Sequence, residues 1–195
     1  LSTLGGKTGG TVTVSNAVNI QGNTSQVTAA LVTDETKVLA ANATVEISNA
    51  STVAELNALA PKAGVITGSI AATSLASLSD LATAGTDLIT ITVNDGEGDN
   101  LNATDLSTLG GKTGGTVTVS NAVVISGTTS QVTGALVTND TKVTASSALV
   151  TISDGDTTNI DATDLSAIGA KTVGAVTVSN AINIQGNTEQ VTAAL

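Results

Sequence analysis

LSTLGGKTGGTVTVSNAV, residues 1–18, recurs letter for letter at 106–123 and returns in diverged form from Leu165. Self-similarity over this length marks a chain assembled by copying one supersecondary unit, which buries its apolar face against its neighbours rather than alone. The second and third copies start 59 residues apart, whereas the first starts 105 residues before the second. The additional sequence keeps the pattern. AELNALAPKAGVITGSI (54–70) and SLSDLATAGTDLITITV (77–93) each read as a short helical stretch followed by a strand. The underlying unit is therefore shorter than 59 residues.

Seven runs alternate β-branched and polar residues: TVTVS (11–15), TVEIS (44–48), VITGS (65–69), LITIT (88–92), TVTVS (116–120), LVTIS (149–153) and AVTVS (175–179). Period two over such runs predicts strands with one buried face. Their starts lie 21 to 33 residues apart, too far for tight hairpins, so parallel pairing is expected. Ahead of the strands, apolar residues at helical spacing (Leu56 and Leu59, Leu75 and Leu78, Leu106 and Leu109, Val132 and Leu136, Leu165 and Ile168) predict helices of one or two turns. Thr104-Asp105 and Thr163-Asp164 are positioned to cap two of them. After several strands an Asn-Ala or Asp-Gly corner leads into a second apolar run, read as a short second strand: AVNI (17–20), AVVI (122–125) or AINI (181–184). Each of these ends near a glycine, Gly22, Gly127 or Gly186, that suits a further corner.

These features predict a mainly β fold: a parallel β-solenoid, or β-helix, of about seven coils with short helical turns between strands. Residues 1–195 form a single continuous repeat array on this reading, with copies starting near 1, 106 and 165. Leu195 aligns with Leu136 and Leu1 with Leu106 or Leu165, so the chain is expected to be a segment of a longer array. Val12 and Val14 should face inward, and Thr11, Thr13 and Ser15 outward.

The chain has 195 residues, 41% of them hydrophobic, and a mean hydropathy of +0.33, which argues for a folded protein. It contains no Phe, Tyr, Trp, Met, Cys or His. Its core must be built from Val, Ile, Leu and Ala, small aliphatics suited to thin, layered interiors. A net charge of −10 and the absence of aromatic residues oppose nucleic-acid binding, which needs basic patches and stacking platforms. No apolar run is long enough for a membrane span.

The best metal-ligand candidates are two acidic clusters, Asp95-Gly-Glu97-Gly-Asp99 and Asp154-Gly-Asp156. Ca²⁺ takes several carboxylate and carbonyl oxygens at a flexible turn. The equivalent corners elsewhere are uncharged, Ser15-Asn16-Ala17 and Ser120-Asn121-Ala122, and a corner needing Asn, Asp or Gly for its backbone accounts for all of them. No other cofactor is expected. Lys7, Lys112 and Lys171 fall in register in the Gly-x-Lys-Thr segment, Lys62 in the matching APKAG, and Lys37 and Lys142 in Thr-Lys-Val. Duplication is sufficient to explain that placement. Outward hydroxyls form two expected columns, Thr13, Thr67, Thr90, Thr118, Thr151 and Thr177, interrupted by Glu46, and Ser15, Ser48, Ser69, Thr92, Ser120, Ser153 and Ser179. Flat arrays of this kind resemble ice-binding faces. Without His or Cys the common routes to an activated nucleophile are missing, and paired carboxylates lack aromatic residues to platform a sugar. The chain is not expected to be an enzyme. Asn23, Asn42, Asn49, Asn102 and Asn139 lie in Asn-x-Ser/Thr sequons that can carry glycan in a secreted protein.

ELNAL (55–59), ATDLSTLGGKTGGTVTVSNA (103–122) and GTTSQVTGAL (127–136) resemble the degenerate repeats of giant secreted or cell-surface proteins of bacteria, particularly marine and filamentous cyanobacteria. The resemblance implies an extracellular or cell-surface protein with a structural or adhesive role. The leading expectation is a repeat segment that self-associates into a fibre, filament or surface layer, or continues within a longer chain. A Ca²⁺-dependent adhesin module and an ice-binding array are the alternatives.

Overall fold

The structure, a computed structural model, describes residues 1–33 and 37–195. Helices hold 31% and strands 28% of the described residues. The chain divides into two compact units, the first comprising Leu1–Ala72, Asp80–Ile91 and Lys112–Thr116 and the second comprising Thr73–Ser79, Thr92–Gly111 and Val117–Leu195.

Unit 1 runs α1 (Ser2–Gly5), β1 (Val12–Thr13), β2 (Asn19–Gly22), α2 (Thr24–Leu31), β3 (Val38–Leu39), β4 (Thr44–Ser51), α3 (Val53–Leu59), β5 (Val65–Ile70) and the first residues of β6 (Leu88–Val93). β1 pairs with β3. β2, β4, β5 and β6 pair in that order, with Ile20 beside Val45, Val45 beside Ile66 and Thr67 beside Leu88. All these pairs are parallel. Helices α2 and α3 start at capping boxes, Asn23 with Gln26 and Thr52 with Glu55, which satisfy the free amides of a first turn reciprocally.

Unit 2 contributes β7 (Asn100–Asn102), α4 (Ala103–Gly110), β8 (Val117–Val119), β9 (Val124–Gly127), α5 (Thr129–Val132), β10 (Val143–Thr144), β11 (Leu149–Ile152), β12 (Asn159–Asp161), α6 (Ala162–Gly169), β13 (Val176–Val178), β14 (Asn183–Gln185) and α7 (Thr188–Ala194). β7, β9, β11 and β13 form one parallel sheet, while β8 pairs with β10 and β12 with β14, again in parallel. The core of each unit is the aliphatic set that composition requires, with Leu56, Leu59, Ile66 and Ile89 inaccessible in unit 1 and Leu106, Ile125, Val132 and Ile168 in unit 2.

The mainly β solenoid is not what forms. The fold is mixed α/β with several separate parallel sheets, and no closed solenoid or β-helix is present among the described residues. Two features account for the difference. The helical stretches take as large a share of the chain as the strands, because capping and the buried Leu pairs extend them to seven or eight residues in α2, α3, α4 and α6. The short second strands expected at the second apolar runs do form, and they compete with the first strands for neighbours. Thus β4 pairs with β2 rather than with β1, and β11 takes β9 on one side and β13 on the other.

Helix starts also differ from the expected caps. Asn102 caps α4, its Oδ1 accepting from Thr104 N at 2.8 Å, and Asp105 lies inside the first turn, where its charge complements the helix dipole. Gly22 and Gly127 are not among the positive-φ residues, which include Lys37, Lys142, Thr157 and Gly98. Gly127 instead allows a close approach, since a Cβ there would lie 3.1 Å from the Ala103 Cβ, tighter than side chains usually pack. Alternation along the first repeated strand does follow the sequence, with Val12 and Val14 half-buried and Thr11, Thr13 and Ser15 exposed. Val14→Asp is accordingly expected to lower the thermal midpoint clearly and Thr13→Asp hardly at all; equal shifts in a circular-dichroism melt would reverse the facing.

Candidate functional site

The acidic corners use their oxygens on main-chain amides. Asp95 Oδ2 accepts from Leu75 N at 2.7 Å, and Asp99 Oδ2 from Gly96 N at 2.7 Å. Asp154 Oδ2 takes both Thr129 N at 2.6 Å and Thr129 Oγ1 at 2.7 Å, at the first residue of α5. Asp156 Oδ1 accepts from Ala181 N at 3.1 Å, and Glu97 is exposed. Asn49 occupies the equivalent position in unit 1, its Oδ1 accepting from Thr24 N at 2.7 Å and Thr24 Oγ1 at 3.0 Å. Asn and Asp are thus interchangeable as inter-repeat caps, because each supplies an acceptor at the same distance from the main chain. Among the described residues no group of three His, Cys, Asp or Glu side chains is placed to share a metal ion.

A second device, found at two places in unit 2, ties a repeat to the one before it. Ser120 Oγ donates to Val93 O at 3.1 Å and Asn121 Nδ2 to Asp95 O at 2.6 Å. One 59-residue period later, Ser179 Oγ donates to Ile152 O at 2.9 Å and Asn180 Nδ2 to Asp154 O at 2.6 Å. In the Gly-x-Lys-Thr segment the recurrent work falls to the threonine. Thr113 Oγ1 accepts from Ile89 N and Gly115 N, both at 2.9 Å, and lies 2.7 Å from Ile89 O. Thr172 Oγ1 accepts from Gly174 N at 3.0 Å and donates to Ala148 O. The Thr-x-Gly spacing of an ST turn, in which the hydroxyl accepts from the amide two residues on, is the signal for these residues.

Asp87, which no sequence pattern singled out, is buried at 5% exposure. Its Oδ1 accepts from Ile66 N at 2.8 Å and its Oδ2 from Ala84 N at 2.9 Å. It stands at the position that Gly115 takes in the aligned strand start, so duplication hides it.

The expected hydroxyl columns are broken. Thr13 stands beside Leu39, and Thr67 beside Glu46 on one side and Leu88 on the other; Thr151 does neighbour Thr177 and Ser126. Lys37 and Lys142 share a left-handed backbone, and their carbonyls accept from Val12 N and Val117 N at 3.0 and 3.1 Å. Their regular placement therefore serves strand starts; the Thr36 of the first Thr-Lys-Val lies outside the described residues. The Oδ1 atoms of the sequon residues Asn23, Asn49 and Asn102 accept main-chain amides at helix starts.

In unit 1 a cavity of about 520 Å³ lies beside β2, lined by Leu1, Val18, Ile20, Gln21, Val27 and Ala30 among others. Among the described residues no helix is long and apolar enough to cross a membrane. No protein-family model matches the chain, and neither the curated proteins nor the solved structures include a match.

Proposed function

We propose that the chain is an extracellular structural repeat segment that assembles into a fibre, filament or surface layer. The observation that carries this reading is the recurrence of the Ser-Asn clamp at 120–121 and 179–180, with the same acceptors one repeat back. In both copies the Ser and Asn side chains are directed at the main chain of the preceding repeat. Conserving the clamp through duplication conserves the repeat-to-repeat contact, which is what a building material requires. A chain without His, Cys or aromatic residues also tolerates exposure to oxidants, having no oxidisable sulfur.

Electron microscopy and sedimentation of the purified chain over rising concentration test the proposal. Ordered fibres or sheets with a regular axial repeat are the expected result. A monodisperse particle at every concentration would overturn it.

A further inference from the structure

Two Asp-Gly bonds stand one 59-residue period apart, Asp95-Gly96 after β6 and Asp154-Gly155 after β11. Their main chains are built alike. In both, the turn closes three residues on, with Asp99 N donating to Gly96 O at 3.1 Å and Thr158 N to Gly155 O at 3.2 Å. In both, the aspartate's main-chain oxygen accepts from the Asn of the following clamp, Asn121 Nδ2 or Asn180 Nδ2, at 2.6 Å.

The glycine amides differ. Gly96 N donates to Asp99 Oδ2 at 2.7 Å. In the second corner Thr158 stands where the first has Asp99, and Gly155 N donates to no group among the described residues. Gly155 is also exposed. The aspartates differ as well. Asp95 Oδ2 accepts from one donor, Leu75 N at 2.7 Å, whereas Asp154 Oδ2 accepts from two, Thr129 N at 2.6 Å and Thr129 Oγ1 at 2.7 Å. Two donors converging on one carboxyl oxygen stabilise the negative charge that develops there when the adjoining carbon is attacked.

We infer that Asp154-Gly155 is a site of spontaneous modification, isomerising through a cyclic imide to an isoaspartyl bond, and that the fold protects Asp95-Gly96 from the same reaction. Gly155 N attacks Asp154 Cγ, and having no Cβ beside it the nitrogen approaches unhindered. The N–Cγ bond forms and the Cγ–Oδ1 bond breaks, Oδ1 leaving as water with the amide proton and one proton from solvent. Oδ2 stays as the imide carbonyl, held by the Thr129 donors. Water then adds to the main-chain carbonyl carbon of Asp154, the bond from that carbon to Gly155 N breaks, and the chain runs on through Cγ. Nothing is oxidised or reduced. At the first corner the amide hydrogen of Gly96 is committed to Asp99, which holds the nitrogen away from attack. The product carries an extra methylene in the main chain where Asp154 caps α5 and receives Asn180, so the change loosens both inter-repeat bonds. The site is independent of the assembly proposed above.

Incubating the native chain at physiological temperature and neutral pH, then locating isoaspartate by electron-transfer fragmentation of its peptides, tests the inference. Isoaspartate is expected to accumulate at least fivefold faster at 154 than at 95. In urea the two rates should converge to within about twofold, because the unfolded chain loses the contacts that distinguish the corners. Thr158→Asp, which supplies the carboxylate that Asp99 provides in the first corner, should slow the reaction at 154 several-fold. Equal rates at the two corners of the native chain, a ratio that urea leaves unchanged, or an undiminished rate in Thr158→Asp would each overturn the inference.

Discussion

Gly115→Ala should destabilise unit 1 by about 3 kcal/mol, whereas Gly10→Ala, in the identical stretch Gly-Gly-Lys-Thr-Gly-Gly-Thr-Val, should change stability by no more than about 0.5 kcal/mol. A Cβ on Gly115 would collide with the carbonyl of Ile89, a main-chain atom fixed in the strand ladder. A Cβ on Gly10 meets only the Thr8 hydroxyl, at 3.7 Å. The entropy that alanine removes from the unfolded chain stabilises both variants similarly, since the local sequences are the same. The difference between the two therefore isolates tertiary packing. Urea denaturation followed by far-UV circular dichroism measures it, and equal effects would mean that Gly115 does not lie against β6.

Asp87→Ala should cost about 3 kcal/mol or more, because hydrogen bonds to a charged acceptor contribute about 1.5–3 kcal/mol each and two would be lost. The amides of Ile66 and Ala84 would be left without their acceptor, the first of them in a buried setting. Asp87→Asn keeps one carbonyl oxygen and turns an NH₂ group toward the other amide, so about half the loss is expected. The same denaturation measurement applies. A loss below about 1 kcal/mol for Asp87→Ala would show that water replaces the carboxylate at no cost.

Strand positions were the most legible part of the chain. All seven alternating runs contain strands, from Val12–Thr13 to Val176–Val178, because alternation of β-branched and polar residues directly reports a sheet with one buried face. The buried Leu pairs of the short helices, such as Leu56 with Leu59 and Leu106 with Leu109, were equally legible. Pairing was not. Whether β4 takes β1 or β2 as its neighbour depends on which apolar edge lies within reach after the intervening helix has packed, and no local pattern encodes that distance. The solenoid expectation failed there.

At the candidate sites the sequence identified the acidic corners, and in the structure Asp95 and Asp154 each accept a main-chain amide, as Asn49 does in unit 1. Asp87 and Thr113 stayed hidden because their importance lies in partners 21 and 24 residues away. What the sequence determined by itself was repetition, strand-forming alternation, helix periodicity and a core without aromatic or sulfur-bearing side chains, all properties of neighbouring residues along the chain. Only the tertiary structure decided why one sequence behaves in two ways. Gly10 and Gly115 lie in the same eight-residue stretch, and they differ in what other parts of the fold bring against them. Burial and steric exclusion depend on those distant atoms, so identical residues acquire different energies.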